Sequence, residues 1–141
     1  MMVTTKGRYA LRMMADIARQ GAGARVPLRE IADRQDLSAK YLEQLAGALV
    51  RAGLLVSSRG AHGGYSLTRD AGAITAGAVM RAVEEGGTSP VACLCEDTQV
   101  CPRRAHCETL PFWEGLSEVI DAYVDGVTLA EIARGAEAQA G

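Results

Sequence analysis

The run VPLREIADRQDLSAKYLEQLAGALVRAGLL, from Val26 to Leu55, narrows the possible folds more than any other part of the chain. A short helical pattern extends from Pro27 to about Arg34, a turn occupies Gln35 to Leu37, and a second helix opens at Ser38. Pro27 suits a first helical turn, where its missing N–H is not needed. Ser38 is a good N-cap because its hydroxyl can accept from an unpaired amide of the first turn, and Gly53 is a stop just past the helix end. Two short helices joined in this way form a helix-turn-helix. In the second helix Leu42, Leu45 and Leu49 share one face, while Lys40, Gln44 and Gly47 share another with Glu43 beside them. The apolar face packs. The polar face carries what major-groove readout needs: amide and hydroxyl groups for base edges, a lysine for phosphate or guanine, and a carboxylate that accepts from cytosine. An ordinary solvated face has the same pattern, so its neighbours decide between the two.

The next segment, LLVSSRGAHGGYSLTRD, holds two short runs of β-type residues around a tip with Gly60, Gly63 and Gly64. It predicts a β-hairpin, and a hairpin directly after a helix-turn-helix is a wing. Arg59 and His62 flank the tip like side chains offered to a narrow groove. Upstream, Ala10, Met13, Met14 and Ile17 recur at helical spacing from Lys6 to Gln20, opposite Arg8, Arg12 and Asp16, and Gly21 and Gly23 end that helix. This helix supports the core, with Lys6 and Arg8 near its start, within reach of phosphate. Downstream, a helix capped by Thr75 runs to about Glu85 with Val79, Met80 and Val83 as core.

All four cysteines lie within CLCEDTQVCPRRAHC, residues Cys93 to Cys107, a stretch with no period and therefore a loop. Beyond it a long helix begins at Thr109 or Leu110, with Phe112, Leu116, Val119, Ile120, Tyr123 and Val127 on one stripe. Such a stripe either folds onto its own core or pairs with a second copy, giving a two-fold dimer with two reading helices on successive major grooves of palindromic double-stranded DNA. Thr128 and Glu131 form a capping box for a short last helix to about Arg134, and the tail beyond Gly135 is expected to fray.

Charge separates the same parts. Up to Asp70 there are 11 Lys and Arg against 6 Asp and Glu, and after it 4 against 11, so +5 and −7 make up the net −2. A basic half attracts phosphates while an acidic half stays off them. With no signal-peptide pattern at the start, the expectation is a cytoplasmic chain with no membrane partner, where clustered thiols bind metal or do redox chemistry.

The order of parts resembles the IscR-like, iron-sulfur type of the Rrf-two family of winged-helix transcription factors. The resemblance rests on TKGRYAL from Thr5 to Leu11, YLEQL from Tyr41 to Leu45, RGAHGGY from Arg59 to Tyr65, and Cys95, Cys101 and Cys107 with five-residue spacers. It implies a homodimer with a long dimerisation helix, base contacts from Ser38, Lys40, Gln44 and the wing's Arg59, and a cluster on the three cysteines. Thiolates are the usual ligands of such clusters, which commonly take four. Zinc favours closer cysteine pairs, and plain redox thiols are the other alternative. A two-iron two-sulfur cluster is expected over a four-iron four-sulfur one.

The fourth ligand departs from the family pattern. Leu110 stands where IscR-like proteins can use histidine, and Arg8 where some relatives use an acidic residue of the partner subunit. Cys93 is preferred, ahead of His106 and Glu108, because it is a thiol in the same loop.

The expectation is therefore a mainly α winged helix-turn-helix regulator, not an enzyme. Residues 1–87 bind DNA, 88–108 hold the cluster, and 109–141 dimerise and close the chain. The alternatives are a cluster-independent regulator of cysteine or sulfur metabolism with redox-active thiols, and a thiol oxidoreductase or cluster carrier.

Overall fold

A computed structural model describes residues 3–94 and 101–140. Six α-helices and one two-stranded antiparallel sheet are found among them: α1 (Thr5–Arg19), α2 (Leu28–Gln35), α3 (Ala39–Arg51), β1 (Leu55–Ser58), β2 (Gly64–Leu67), α4 (Ala76–Val83), α5 (Leu110–Gly126) and α6 (Leu129–Ala140).

The caps are local and hold as the residue types dictate. Ser38 accepts from the Tyr41 amide, Thr75 from the Ala78 amide, and Thr128 and Glu131 bond each other's amides at 3.0 and 3.2 Å. Thr4, which the sequence pattern did not single out, caps α1 by accepting from the Lys6 amide. Between α2 and α3 the chain reverses through Asp36 in the left-handed region (φ 53), a conformation its short polar side chain tolerates.

One core forms where α1, α3 and α4 meet. Ala10, Met13, Met14 and Ile17 of α1 pack with Ile31, Leu42, Leu49, Ile74 and Val79, all at most 1% exposed. Each large side chain so buried stabilises by about 1.5–3 kcal/mol relative to exposure.

The hairpin pairs Leu55 with Leu67 and Ser58 with Gly64. Its second strand also bridges Val26, with Val26 and Tyr65 exchanging two backbone hydrogen bonds of 2.9 Å. Gly64 makes this possible: its φ is 155, and a Cβ there would sit 2.5 Å from the Val26 carbonyl carbon. The wing is thereby anchored to the strand-like entry of α2.

Four features differ from the sequence expectation. The tail beyond Gly135 is helical, because α6 runs to Ala140 and docks on α1, with Leu129 fully buried. Val127 leaves the α5 stripe, since it is the α5 C-cap and its carbonyl accepts from the Ala76 amide at 2.8 Å. Helix α4 stops at Val83, freeing Glu84 for a contact described below. Asp16 is not on a solvated face but only 3% exposed, because α2 crosses over it and supplies Arg34 and Gln35.

Candidate nucleic-acid interface and cysteine segment

The polar face of α3 is open. Lys40, Glu43 and Gln44 are exposed, while Leu42, Leu45 and Leu49 behind them are buried. Ser38 is exposed at the helix start, its hydroxyl already accepting from Tyr41. Arg59 and His62 are both exposed in the turn between the wing strands.

The start of α1 lies against the first turn of α3. The Thr5 hydroxyl is 3.4 Å from the Tyr41 hydroxyl, and the Tyr9 and Tyr41 rings meet edge to face at 5.9 Å. The guanidinium groups of Arg8 and Arg12 lie 6.0 and 5.5 Å from the Tyr9 ring centre, a cation–π distance. Lys6 is exposed and 3.9 Å from Glu85. Lys6 and Arg8 thus flank the α1 residues Thr5 and Tyr9 that meet Tyr41, the residue after Lys40. Sequence reasoning missed Tyr41 as the link, although its place one residue after Lys40 was a usable signal.

The placement of α2 depends on Asp16. Its carboxylate accepts from Arg34 Nε (3.1 Å), Arg34 Nη2 (2.7 Å) and Gln35 Nε2 (2.9 Å). Hydrogen bonding to Asp16, and then its charge, raise the Arg34 pKa further above its ordinary value. Arg12 closes the contact by donating to the Gln35 side chain and carbonyl.

On the other side, α4 clasps α5. Arg81 donates to Asp125 at 2.6 and 3.0 Å and to Asp121 at 3.2 Å, and the buried Thr88 hydroxyl donates to Asp121 at 2.6 Å. Hydrogen bonding from Arg81 holds the Asp125 carboxyl below the usual range. Beside this clasp Val124 is buried, whereas Phe112, Val119 and Tyr123 on the opposite face are 64%, 66% and 72% exposed.

Cys93, Cys101 and Cys107 are free thiols, and Cys95 lies outside the described residues. Cys93 is half-buried in a 3-10 turn (Ala92–Leu94) whose Cys93 carbonyl accepts from Arg104 at 3.1 Å, tying it to a second turn (Arg104–His106). Cys101 is exposed and lines a cleft with Leu110 and Glu114. Cys107 is half-buried with its sulfur 3.4 Å from the Thr109 hydroxyl. That hydroxyl, backbone amides of Thr109 and Leu110, and the charge of Arg103 lower its pKa, favouring the thiolate. Three free thiols, one biased to its anion, fit a thiolate-bound group by donor chemistry. Among the described residues, no three Cys, His, Asp or Glu side chains already converge as a metal site. His106 and Glu108 are exposed, Leu110 occupies the first position of α5, and Arg8 offers no carboxylate.

Residues 3–135 match the model of a family named Rrf2 and described as iron-dependent transcriptional regulator. The chain is 43% identical to the HTH-type transcriptional regulator IscR of Yersinia enterocolitica, over 94% of this chain and 79% of the relative. Among solved structures, CymR, described as the global cysteine regulator of B. subtilis, superposes with a TM-score of 0.75 at 36% identity, covering 95% of this chain and 97% of that one. IscR of T. potens gives 0.74 at 37% identity, covering 99% and 91%.

Proposed function

Since this chain belongs to the Rrf2 family of DNA-binding transcriptional regulators, we propose that it is a homodimeric regulator whose operator binding depends on an iron-sulfur cluster held by Cys95, Cys101, Cys107 and Cys93. The observation that carries this reading is the position of the free thiols: they lie on the connection between α4, which belongs to the core of the reading head, and α5, with its exposed apolar stripe.

Phe112, Leu116, Val119, Ile120 and Tyr123 form the seam with a second copy, and the two α3 helices then enter successive major grooves of a palindromic site. Gln44 and Ser38 bond base edges, Lys40 takes guanine or phosphate, Glu43 accepts from cytosine, and Arg59 and His62 enter the minor groove. Lys6 and Arg8 meet phosphates, which fix register without reading sequence. The cluster, when bound, supplies redox-sensitive cross-linking of the loop. The protein's part is to turn an ordered loop into a fixed α4–α5 angle through the Arg81–Asp125 clasp, and hence a fixed spacing of the two α3 helices. No helix among the described residues is long and apolar enough to cross a membrane. As a DNA-binding regulator, the protein acts in the cytoplasm.

Cys93 serves as the fourth ligand, because Leu110 cannot bind iron and a thiolate binds it more strongly than the imidazole of His106 or the carboxylate of Glu108. Protein purified without air should be coloured, with iron and sulfide in equal amounts for a two-iron two-sulfur cluster. Cys93→Ala should lose the cluster almost as completely as Cys101→Ala, while His106→Ala keeps its spectrum. A colourless, iron-free sample would end the cluster reading; a full cluster in Cys93→Ala would end the all-cysteine site.

A second reading, a regulator of cysteine metabolism with redox-active thiols, is favoured by the likeness to the cysteine regulator of B. subtilis. It predicts cluster-free protein that binds its operator tightly and responds to thiol oxidation.

A further inference from the structure

Helix α1 begins without an acidic residue in its first turn, yet its first amides are not left to water. Glu84, the C-cap of α4, points its Oε1 at them. That single oxygen accepts from the Thr4 amide at 3.0 Å, the Thr4 hydroxyl at 2.7 Å and the Gly7 amide at 2.9 Å. A capping box ordinarily takes its carboxylate from the third residue of the helix. Here that residue is Gly7, and the carboxylate comes from 77 residues downstream. Glycine is what admits it, since a Cβ at position 7 would lie 2.5 Å from the same Oε1. Lys6, between the two capped positions, carries an exposed ammonium, and Arg8 follows directly.

We propose that Glu84 is a positioning residue for DNA binding: it clamps the first turn of α1 to the end of α4 and so sets where Lys6 and Arg8 meet the phosphate backbone. This rests on the reading of Lys6 and Arg8 as phosphate contacts. The clamp has a chemical corollary. With the Thr4 and Gly7 amides bonded to a carboxylate and the Lys6 amide to the Thr4 hydroxyl, the start of α1 carries a negative charge where a helix usually binds an anion on its N–H groups. Phosphate is met by side chains, and their placement matters more.

The sign of two substitutions separates positioning from simple charge. Glu84→Ala and Glu84→Gln both remove a negative charge from the neighbourhood of DNA, so charge alone would tighten binding in both. Glutamine keeps an acceptor for the amides and alanine does not. On a random-sequence duplex at about 0.1 M salt, Glu84→Ala should weaken binding about three- to tenfold and flatten the salt dependence by about one phosphate contact. Glu84→Gln should bind as well as the parent or better. Gly7→Ala, which displaces the carboxylate while leaving Glu84 in place, should repeat the loss and covers the case in which Glu84→Ala fails to fold. In a Lys6→Ala, Arg8→Ala background the Glu84→Ala loss should vanish. Tighter binding by both Glu84 variants, parent-like binding by Gly7→Ala, or an undiminished Glu84→Ala loss in the double background would each overturn the positioning role alone. Unchanged binding by Lys6→Ala, Arg8→Ala in the otherwise native protein would remove the phosphate-contact reading and the positioning role with it.

Discussion

Asp16 and Arg34 offer an asymmetry that can be measured. Asp16 is 3% exposed and accepts three hydrogen bonds, two from Arg34 and one from Gln35; the Arg34 side chain is 38% exposed. Asp16→Ala deletes the charge together with its desolvation cost, and the freed guanidinium turns to water. The loss is that of charge-assisted bonds plus a small cavity, about 2–3 kcal/mol. Arg34→Ala deletes two of the three bonds but leaves the carboxylate in its buried seat. Removing one partner of a buried pair costs about 3–5 kcal/mol, because the remaining ion is uncompensated. The exposed partner should therefore be the more expensive one to remove. Replacing both, as Asp16→Leu with Arg34→Met, should cost less than Arg34→Ala alone. Urea unfolding followed by circular dichroism, at one fixed protein concentration, gives the ranking. Asp16→Ala costing clearly more than Arg34→Ala would refute the argument, since it would mean that the bonds, and not the stranded charge, dominate.

Gln44→Ala should cost about 1–3 kcal/mol at the specific operator and little on random DNA, whereas Lys6→Ala should weaken both alike; titrations on the two duplexes decide. Leu116→Glu with Ile120→Glu sets like charges against each other across the proposed seam, so sedimentation should show monomer and operator affinity should fall. The Asp125 carboxyl is held below its unfolded value by Arg81, so its stabilising effect is present above about pH 4 and lost as pH falls through the folded value. The stability gap between the parent and Asp125→Asn should shrink on acidification across that window; its size is small, because the Asp125 side chain is 45% exposed. A gap that widened below about pH 4 would contradict the sign.

What the sequence disclosed follows from the range of the interactions involved. Ser38, Thr75 and the Thr128–Glu131 pair bond amides three residues away, so residue type and position were enough. The core positions of α1 and α3 were legible because one helical period decides them. Asp16 was not, because it stands one turn beyond Arg12 on what periodicity makes a polar stripe, and only the arrival of α2 buries it. Glu84 was hidden for the same reason, its partners lying 77 and 80 residues back. In the candidate site, the exposure of Lys40, Glu43, Gln44, Arg59 and His62 was legible from their polar character and their place opposite the apolar face of α3 or around the wing tip. The convergence of the cysteines on one centre was an inference from thiol chemistry, and Cys95 lies outside the described residues.

The seat of α6 has a consequence for how the chain is made. Leu129 is fully buried, its amide bonds to the Ile74 carbonyl at 2.9 Å, and its helix packs on α1. During synthesis the reading head is therefore finished long before the residue that plugs its core has been added. At about 5–20 residues per second, the 42 residues from Gly87 to Leu129 take roughly 2–8 s. Until Leu129 has been made and has left the ribosome, the nascent helix-turn-helix lacks the residue that fills its core beside the Ile74 backbone. A ribosome stalled between these positions should hold a head that proteases cut readily, and one released past α6 should not.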